Sequence, residues 1–140
     1  MNSKHANRIA GVALAAAAIA ISVPGAAHHA FAAEFDSSKP VVLDGTVTTA
    51  KFVNPHSWIY VDVKGKDGTT TNWGFEFGTP SSLRTAGLER SNLAFGTKIR
   101  IGGYRAKNGG PFGYATTIVL PDGRKVKTGS APDAPPPPVD

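Results

Sequence analysis

The sequence predicts an all-β domain, a small five- to six-stranded OB-like Greek-key barrel with one short helix between strands 3 and 4. Three observations predict this class. Short runs alternate apolar and polar residues, as strands do. Turn clusters rich in glycine separate these runs. One segment alone, "TPSSLRTAGL", combines a helix cap with a short apolar spacing. The element order matches the partly open OB barrel, with a small sandwich or another small barrel as the alternative.

The chain opens with a predicted secretory signal peptide, residues 1–27. Two basic residues precede an apolar run, Ile9 to Val23, which is shorter than the roughly 20 residues that span a bilayer. We therefore expect a periplasmic or secreted protein with no integral membrane segment after processing. Cleavage after Ala27 would make His28 the first residue, whereas cleavage after Ala32 would discard it.

The first predicted strand is long and bent. An extended N-terminal arm, residues 28–40, leads into the predicted barrel domain, residues 41–128. Apolar residues alternate regularly up to Val47, but Phe52 falls on the opposite parity. This switch indicates a bulge or bend near residues 49–51.

The second and third strands, "WIYVDV" and "TTNWGFEFG", form a predicted hairpin across the turn cluster "KGKDG". The break "NPHS" precedes them, because its proline cannot donate to a strand ladder. Trp58 and Tyr60 share one face of the second strand. The residues expected to face the core lie on the opposite face of the second strand and on the aromatic face of the third strand: Ile59, Val61, Val63, Trp73, Phe75 and Phe77.

The remaining elements follow the short helix, for which Thr79 or Ser81 is the expected cap. "TKIRIGGYRA" and "YATTIVL" are the fourth and fifth strands, separated by the loop "KNGGPFG". A "PDG" turn leads into "RKVKT", a short sixth strand. The proline-rich end, residues 129–140, is predicted to be a disordered tail.

Three histidines are the candidate metal ligands: His28, His29 and His56. The chain has no cysteine, so a metal site must use imidazole, carboxylate, amine or carbonyl groups. If His28 begins the mature chain, its α-amine and imidazole can chelate together. With His56 this set suits Cu(II), the predicted cofactor, or a Zn(II) site completed by Glu34, Asp36 or water. The structural alternative for His56 is a turn residue that hydrogen-bonds the backbone.

A second candidate site uses Trp58, Tyr60 and Arg105. Aromatic residues on the second and third strands of such barrels form platforms for oligosaccharides or single strands. An exposed face here would serve a metal-free module that binds an envelope protein, a saccharide or another small ligand. The chain has a formal net charge of +5, but its cations are scattered and nucleic acid is not an expected partner of an exported protein.

The sequence favours a binding protein over an enzyme. The serines lack the elbow context of a hydrolase nucleophile, and no carboxylate pair is visible from spacing. A copper redox enzyme is the third hypothesis, because a terminal histidine chelate with open positions can activate oxygen.

Six blocks of the chain together resemble a family of short exported bacterial proteins that carry a domain of unknown function. They are "HHAFAAEFD" (28–36), "LDGTV" (43–47), "NPHSWIYVDV" (54–63), "NWGFEFG" (72–78), "GYRAKNG" (103–109) and "LPDGR" (120–124). The most specific are the His-His-(Ser/Ala)-Phe start of the mature chain and the Asn-Pro-His-Ser-Trp block. The resemblance implies that His28, His29 and His56 act as one site, and it implies no activity.

Overall fold

The computed structural model describes residues 30–136, and within them the protein is mostly β-structure. The strands are β1 (Phe35–Lys51), β2 (Ser57–Lys64), β3 (Thr70–Phe77), β4 (Lys98–Ala106), β5 (Phe112–Val119) and β6 (Lys125–Lys127). The helices are α1 (Ala30–Glu34), α2 (Pro80–Thr85) and a 3₁₀ turn, Arg90–Leu93. The predicted all-β class is confirmed. No helix in this part of the chain is long and apolar enough to cross a membrane.

The six strands form one sheet in the order β3-β2-β1-β4-β5-β6, and neighbours in this order are antiparallel. An additional parallel pairing joins β3 to β5. The long strand β1 pairs with β4 through its first part and with β2 through its second part. Its register against β2 shifts between Val47 and Thr49, which confirms the bulge at about the predicted position. The bulge lets Val47 and Phe52 both pack on the core despite their opposite parities.

The central core lies on the inner face of the sheet and contains no charged residue among its buried members. It joins strand residues to leucines from the β3–β4 connection and the β5–β6 turn: Val47, Ile59, Val61, Phe75, Phe77, Leu83, Leu88, Leu93, Ile99, Ile101, Ala115, Ile118, Leu120 and Val126. The expected core parities of β2 and β3 are therefore confirmed. Val63 and Trp73 are only partly buried, because they lie where β2 ends and β3 begins.

The predicted short helix is α2, between β3 and β4. Thr79 is its cap: the side-chain oxygen accepts a hydrogen bond from the Ser82 backbone N–H at 3.1 Å. Pro80 opens the first turn, where no backbone donor is needed. Gly87 follows the helix with a φ of +84°, a conformation that glycine adopts without strain. The helix thus brings Leu83 into the core.

The segment before β1 differs from the expected extended arm. Residues 30–34 form α1, and β1 already begins at Phe35 rather than at Val41. Three of the five residues in "AFAAE" are alanine, the strongest helix former. Lys107 fixes the helix from outside, since its Nζ donates to the Ala32 carbonyl and its backbone N–H to the Glu34 carbonyl.

A second cluster, the outer aromatic cluster, consists of Phe31, Phe35, Tyr104, Tyr114 and Ala106. The chain around residues 130–136 packs on it in place of a wholly disordered tail. The Tyr114 hydroxyl accepts hydrogen bonds from the backbone N–H groups of residues 130 and 131, each at 2.8 Å. The Tyr104 hydroxyl donates to the carbonyl of Pro136 at 2.5 Å. Two tyrosine hydroxyls therefore hold a segment whose composition alone predicts disorder.

Candidate functional site

The site is built on the side of the sheet that faces away from the central core. Trp58 of β2 lies opposite Glu76 of β3, and Glu76 lies opposite Tyr114 of β5. In the neighbouring row, Tyr60 lies opposite Gly74, which lies opposite Phe112. Since Phe75 and Phe77 point into the core, the residues between them point outward. We call the surface of Trp58, Tyr60, Gly74, Glu76 and Phe112 the outer face.

Glu76 and His56 form an ion pair at one end of the outer face. The imidazole Nδ1 lies 2.5 Å from the Glu76 Oε1. The Glu76 side chain is only 10% exposed, whereas that of His56 is 41% exposed. Burial raises the pKa of the Glu76 carboxyl, the positive charge of His56 opposes this, and the negative charge of Glu34 raises the pKa further. A buried carboxylate thus holds a half-exposed imidazole.

The pairing determines what the imidazole can do. In the neutral imidazole, when Nδ1–H is donated to a carboxylate, Nε2 carries the lone pair that a metal or a proton donor would use. Histidines that bind metals commonly hold their other nitrogen against a carboxylate or carbonyl in this way, which fixes the ring and raises its basicity. His56 is consequently arranged as a ligand or a base through Nε2.

Helix α1 brings a second carboxylate to the same place. Its Phe31 ring packs 5.3 Å from Tyr114 and 5.7 Å from Tyr104, measured between ring centroids. Tyr114 is the neighbour of Glu76 across the β3–β5 pairing. These contacts hold α1 near the β3–β5 pairing, and the negative charge of Glu34 at its end raises the pKa of the Glu76 carboxyl.

The other two candidate metal ligands, His28 and His29, lie outside the described residues, directly before α1. Between residues 30 and 136 the structure brings together no group of three histidine or carboxylate side chains that would hold a metal ion. The described part of the chain thus offers His56 with Glu76, and Glu34 nearby, as its part of the predicted site.

Trp58 and Tyr60 form the aromatic part of the outer face. Their rings are stacked, with centroids 6.3 Å apart and an interplanar angle of 21°, and the Lys51 Nζ lies 5.6 Å from the Tyr60 centroid. Gly74 makes room for the rings, because a Cβ there would lie 2.9 Å from Phe112 and 3.1 Å from Tyr60. A cleft of about 400 Å³ between α1 and β5 has Trp58 and Phe112 in its walls.

Arg105 lies in a different contact. Its guanidinium carbon is 5.2 Å from the centroid of Trp73, and its Nη2 donates to the Gly109 carbonyl at 2.8 Å. Trp73 lies on the core-facing parity of β3, not on that of Glu76. The structure therefore brings Trp58 and Tyr60 together and pairs Arg105 with Trp73.

Two residues of the site were missed by reasoning from sequence. Glu76 was assigned no partner, because 20 positions separate it from His56. The available signal was its position between two buried phenylalanines, where a carboxylate faces away from the core and needs a partner. Phe112 was placed in a loop; it begins β5 and is one of the exposed large apolar side chains.

The fold and the site define a mostly β domain in which a buried carboxylate holds a half-exposed imidazole at the end of an aromatic surface. A family model described as a family of unknown function (DUF6152) matches residues 15–115. The match covers more than half of the chain, and the protein belongs to this family, as the resemblance predicted. It spans all six candidate site residues. No curated protein and no solved structure matches the chain.

Proposed function

We propose that the protein is an exported small β-barrel protein that binds Cu(II) through His28, His29 and His56. The observation that carries the proposal is the His56–Glu76 pair. A buried carboxylate holds Nδ1 at 2.5 Å, which directs Nε2 outward from a side chain that is 41% exposed. This is the arrangement by which proteins orient a metal-binding imidazole.

Chain length supports the participation of the terminal histidines. Helix α1 has five residues, which corresponds to about 7.5 Å at a rise of 1.5 Å per residue. His29 is one further Cα step, about 3.8 Å, beyond it. Because the charge of Glu34 at the other end of α1 acts on the Glu76 carboxyl, the proposal requires the chain before α1 to turn back over about the length of this helix to reach the same region.

Ligand chemistry favours copper over zinc. If cleavage follows Ala27, three imidazoles and one α-amine supply nitrogen donors, a set that suits the tetragonal preference of Cu(II). The chain has no cysteine, so thiolate, which a structural zinc site commonly uses, is absent from the set. Glu76 would hold the His56 ring so that Nε2 faces the bound ion.

For the fold we propose the OB-like Greek-key barrel. The parallel pairing of β3 with β5 supports it, because this pairing links the β3 edge of the sheet back to its other side. The position of α2 between β3 and β4 is that of the helix in such barrels. The outer face then corresponds to the second and third strands, where OB folds bind ligands.

The test is the native intact mass of the protein exported by a bacterial host, with one equivalent of Cu(II) and a denatured control. We expect a chain that begins at His28 and retains one copper. His56→Ala should weaken copper binding at least tenfold, whereas Thr71→Ala, an exposed change in β3, should leave it unchanged. A chain that begins at Ala33, or an unaltered affinity in His56→Ala, would contradict the three-histidine site.

A second function is favoured by the closeness of the rings around Gly74: a metal-free module that binds an envelope protein or a saccharide. Stacked Trp58 and Tyr60 offer flat apolar surface to a sugar ring or an apolar side chain. Titration with N-acetylglucosamine oligomers, followed by tryptophan fluorescence, tests the saccharide form. Binding lost in Trp58→Ala and kept in a His28→Ala, His29→Ala variant would favour this function. Equal losses in both variants would count against it.

A further inference from the structure

A larger cleft, of about 630 Å³, lies where β1, β2, β4 and the β5–β6 turn meet. None of its lining residues borders the cleft beside Trp58. Its size falls within the range of about 300–1,000 Å³ that is typical of small-molecule sites. Neither candidate function uses it.

The charge around this cleft is positive. Lys64, Lys98, Arg100 and Lys125 line it, against two acids, Asp44 and Asp62. Arg100 and Asp44 neutralise each other through two hydrogen bonds of 2.8 and 2.9 Å.

The second acid, Asp62, keeps its negative charge, and its Oδ1 accepts a hydrogen bond from the neutral Asn72 side chain at 2.8 Å, so the lining carries a net charge of +2. Among the residues that the structure describes, no carboxylate lies within 4.0 Å of Lys64, Lys98 or Lys125. Three ammonium groups therefore border the cleft without an ion-pair partner there.

The floor of the cleft is apolar. The aliphatic side chains at its base are the partly exposed Val119 and two residues of the central core, Ile99 and Leu120, which are each 4% exposed. Gly45 contributes only backbone to the cleft. A side chain would not fit there, since β1 approaches β2 so closely that a Cβ would lie 3.0 Å from the Val61 Cβ. The methylene stems of the lysines extend this apolar surface below their charged ends. The cleft thus offers an apolar base under a cationic rim.

We propose that this cleft binds a small amphipathic anion, namely an unbranched alkyl chain that ends in a carboxylate. The lysines would hold the carboxylate and the aliphatic floor would cover the chain. A small inorganic anion would leave the floor unused. An uncharged lipid would leave the three ammonium groups without a counterion. Contact of the alkyl methylenes with this base and with the lysine stems adds to the affinity that the carboxylate supplies.

The experiment is isothermal titration calorimetry of the mature full chain with decanoate, below the concentration at which it forms micelles. Decanol serves as the uncharged control and acetate as the control without an alkyl chain. We expect decanoate to bind with a dissociation constant in the micromolar range, at least tenfold more tightly than decanol or acetate. Added salt should weaken the binding, because the ammonium groups are exposed.

The matched variants remove equal charge from different places. Lys64→Gln with Lys98→Gln should weaken decanoate binding at least tenfold. Lys39→Gln with Lys66→Gln, both exposed and outside the cleft, should leave it unchanged. Circular dichroism should show that both double variants fold like the parent chain.

Three results would overturn the proposal: no decanoate binding, equal binding by decanol, or equal weakening in the two double variants. Sedimentation with phosphatidylglycerol vesicles, in the absence of decanoate binding, would also overturn it and would indicate a membrane surface instead. The outcome is independent of copper, since the variants leave His56 and Glu76 in place.

Discussion

The central core and the outer aromatic cluster bury apolar side chains on opposite sides of the same strands, but they differ in what they hold together. The buried members of the central core are aliphatic residues, alanine and phenylalanine, which come from the sheet, the β3–β4 connection and the β5–β6 turn. The outer aromatic cluster contains two tyrosines, and its partners are the two ends of the described chain. Within residues 30–136, neither α1 nor the segment after β6 contributes a residue to the central core.

This difference indicates that the central core mainly stabilises the fold, whereas the outer aromatic cluster mainly positions other segments of the chain. A closed apolar core contributes mainly through burial of surface, without regard to direction. Tyrosines add hydroxyls that need directed partners when buried, and here these partners are backbone groups of residues 130–136. The outer aromatic cluster therefore fastens α1 and the C-terminal segment beside Glu76. The central core holds the sheet that carries Glu76.

The largest effect is expected from the central core. Phe75→Ala should lower the free energy of unfolding by about 3–5 kcal/mol, because Phe75 is fully buried and its neighbours cannot fill the cavity. Urea denaturation followed by circular dichroism measures this loss. Phe95→Ala is the control, since Phe95 is 84% exposed and should change stability by less than about 0.5 kcal/mol. If Phe75→Ala lowered the free energy of unfolding only slightly, the central core would not stabilise the fold more than the outer aromatic cluster does.

A smaller and more local effect is expected from the outer aromatic cluster. Phe31→Ala should lower the free energy of unfolding by about 1–3 kcal/mol, because α1 can detach while the sheet stays folded. It should nevertheless weaken copper binding at least tenfold, as His28 and His29 would lose their anchor. Hydrogen exchange should become faster in α1 and stay slow in β3. If Phe31→Ala left the copper affinity unaltered, α1 would not be needed to position His28 and His29.

The smallest effect is a change in pH dependence at Glu76, which lies between the two clusters. Its pKa is raised above the ordinary value of 4.5, chiefly by burial. A raised pKa means that this group's contribution to stability is present below pH 4.5 and is lost as the pH rises through the folded-state pKa. Glu76→Gln removes the ionisable group but can still accept the His56 Nδ1–H. The melting temperature of Glu76→Gln should therefore fall less, between pH 4.5 and 7, than that of the parent chain.

Asp62→Asn is the matched control for this measurement, since Asp62 is a partly exposed strand carboxylate that binds Asn72 rather than His56. If the melting temperatures of Glu76→Gln and the parent chain depended on pH in the same way, the ion pair with His56 would fully offset the cost of burying the Glu76 charge.

Elements were predicted well when the residues that determine them are close together in the sequence, and poorly when those residues are far apart. Strands β2 and β3 were predicted within one or two residues, since alternation is a local signal and both faces of each strand differ clearly in polarity. The bulge in β1 was also predicted, because a change of parity is visible in the sequence itself. Helix α1 was not, as a five-residue helix depends on the packing of Phe31 and on Lys107, 75 positions from Ala32.

By itself, the sequence determined the all-β class, the six strands, the capped helix α2 and the core faces of β2 and β3, since these depend on neighbouring residues and on period. Only the tertiary structure decided that Glu76 meets His56, that Tyr114 lies beside Glu76, and that the proline-rich segment packs on tyrosines. The register of the β2–β3 hairpin brings His56 beside Glu76. The contact between Tyr114 and Glu76 requires the parallel β3–β5 pairing, which sets these residues opposite each other although 38 positions separate them, and this pairing leaves no trace in local pattern. A pairing between distant strands is chosen by the burial of the whole core, and so the site that it creates appears only in the folded chain.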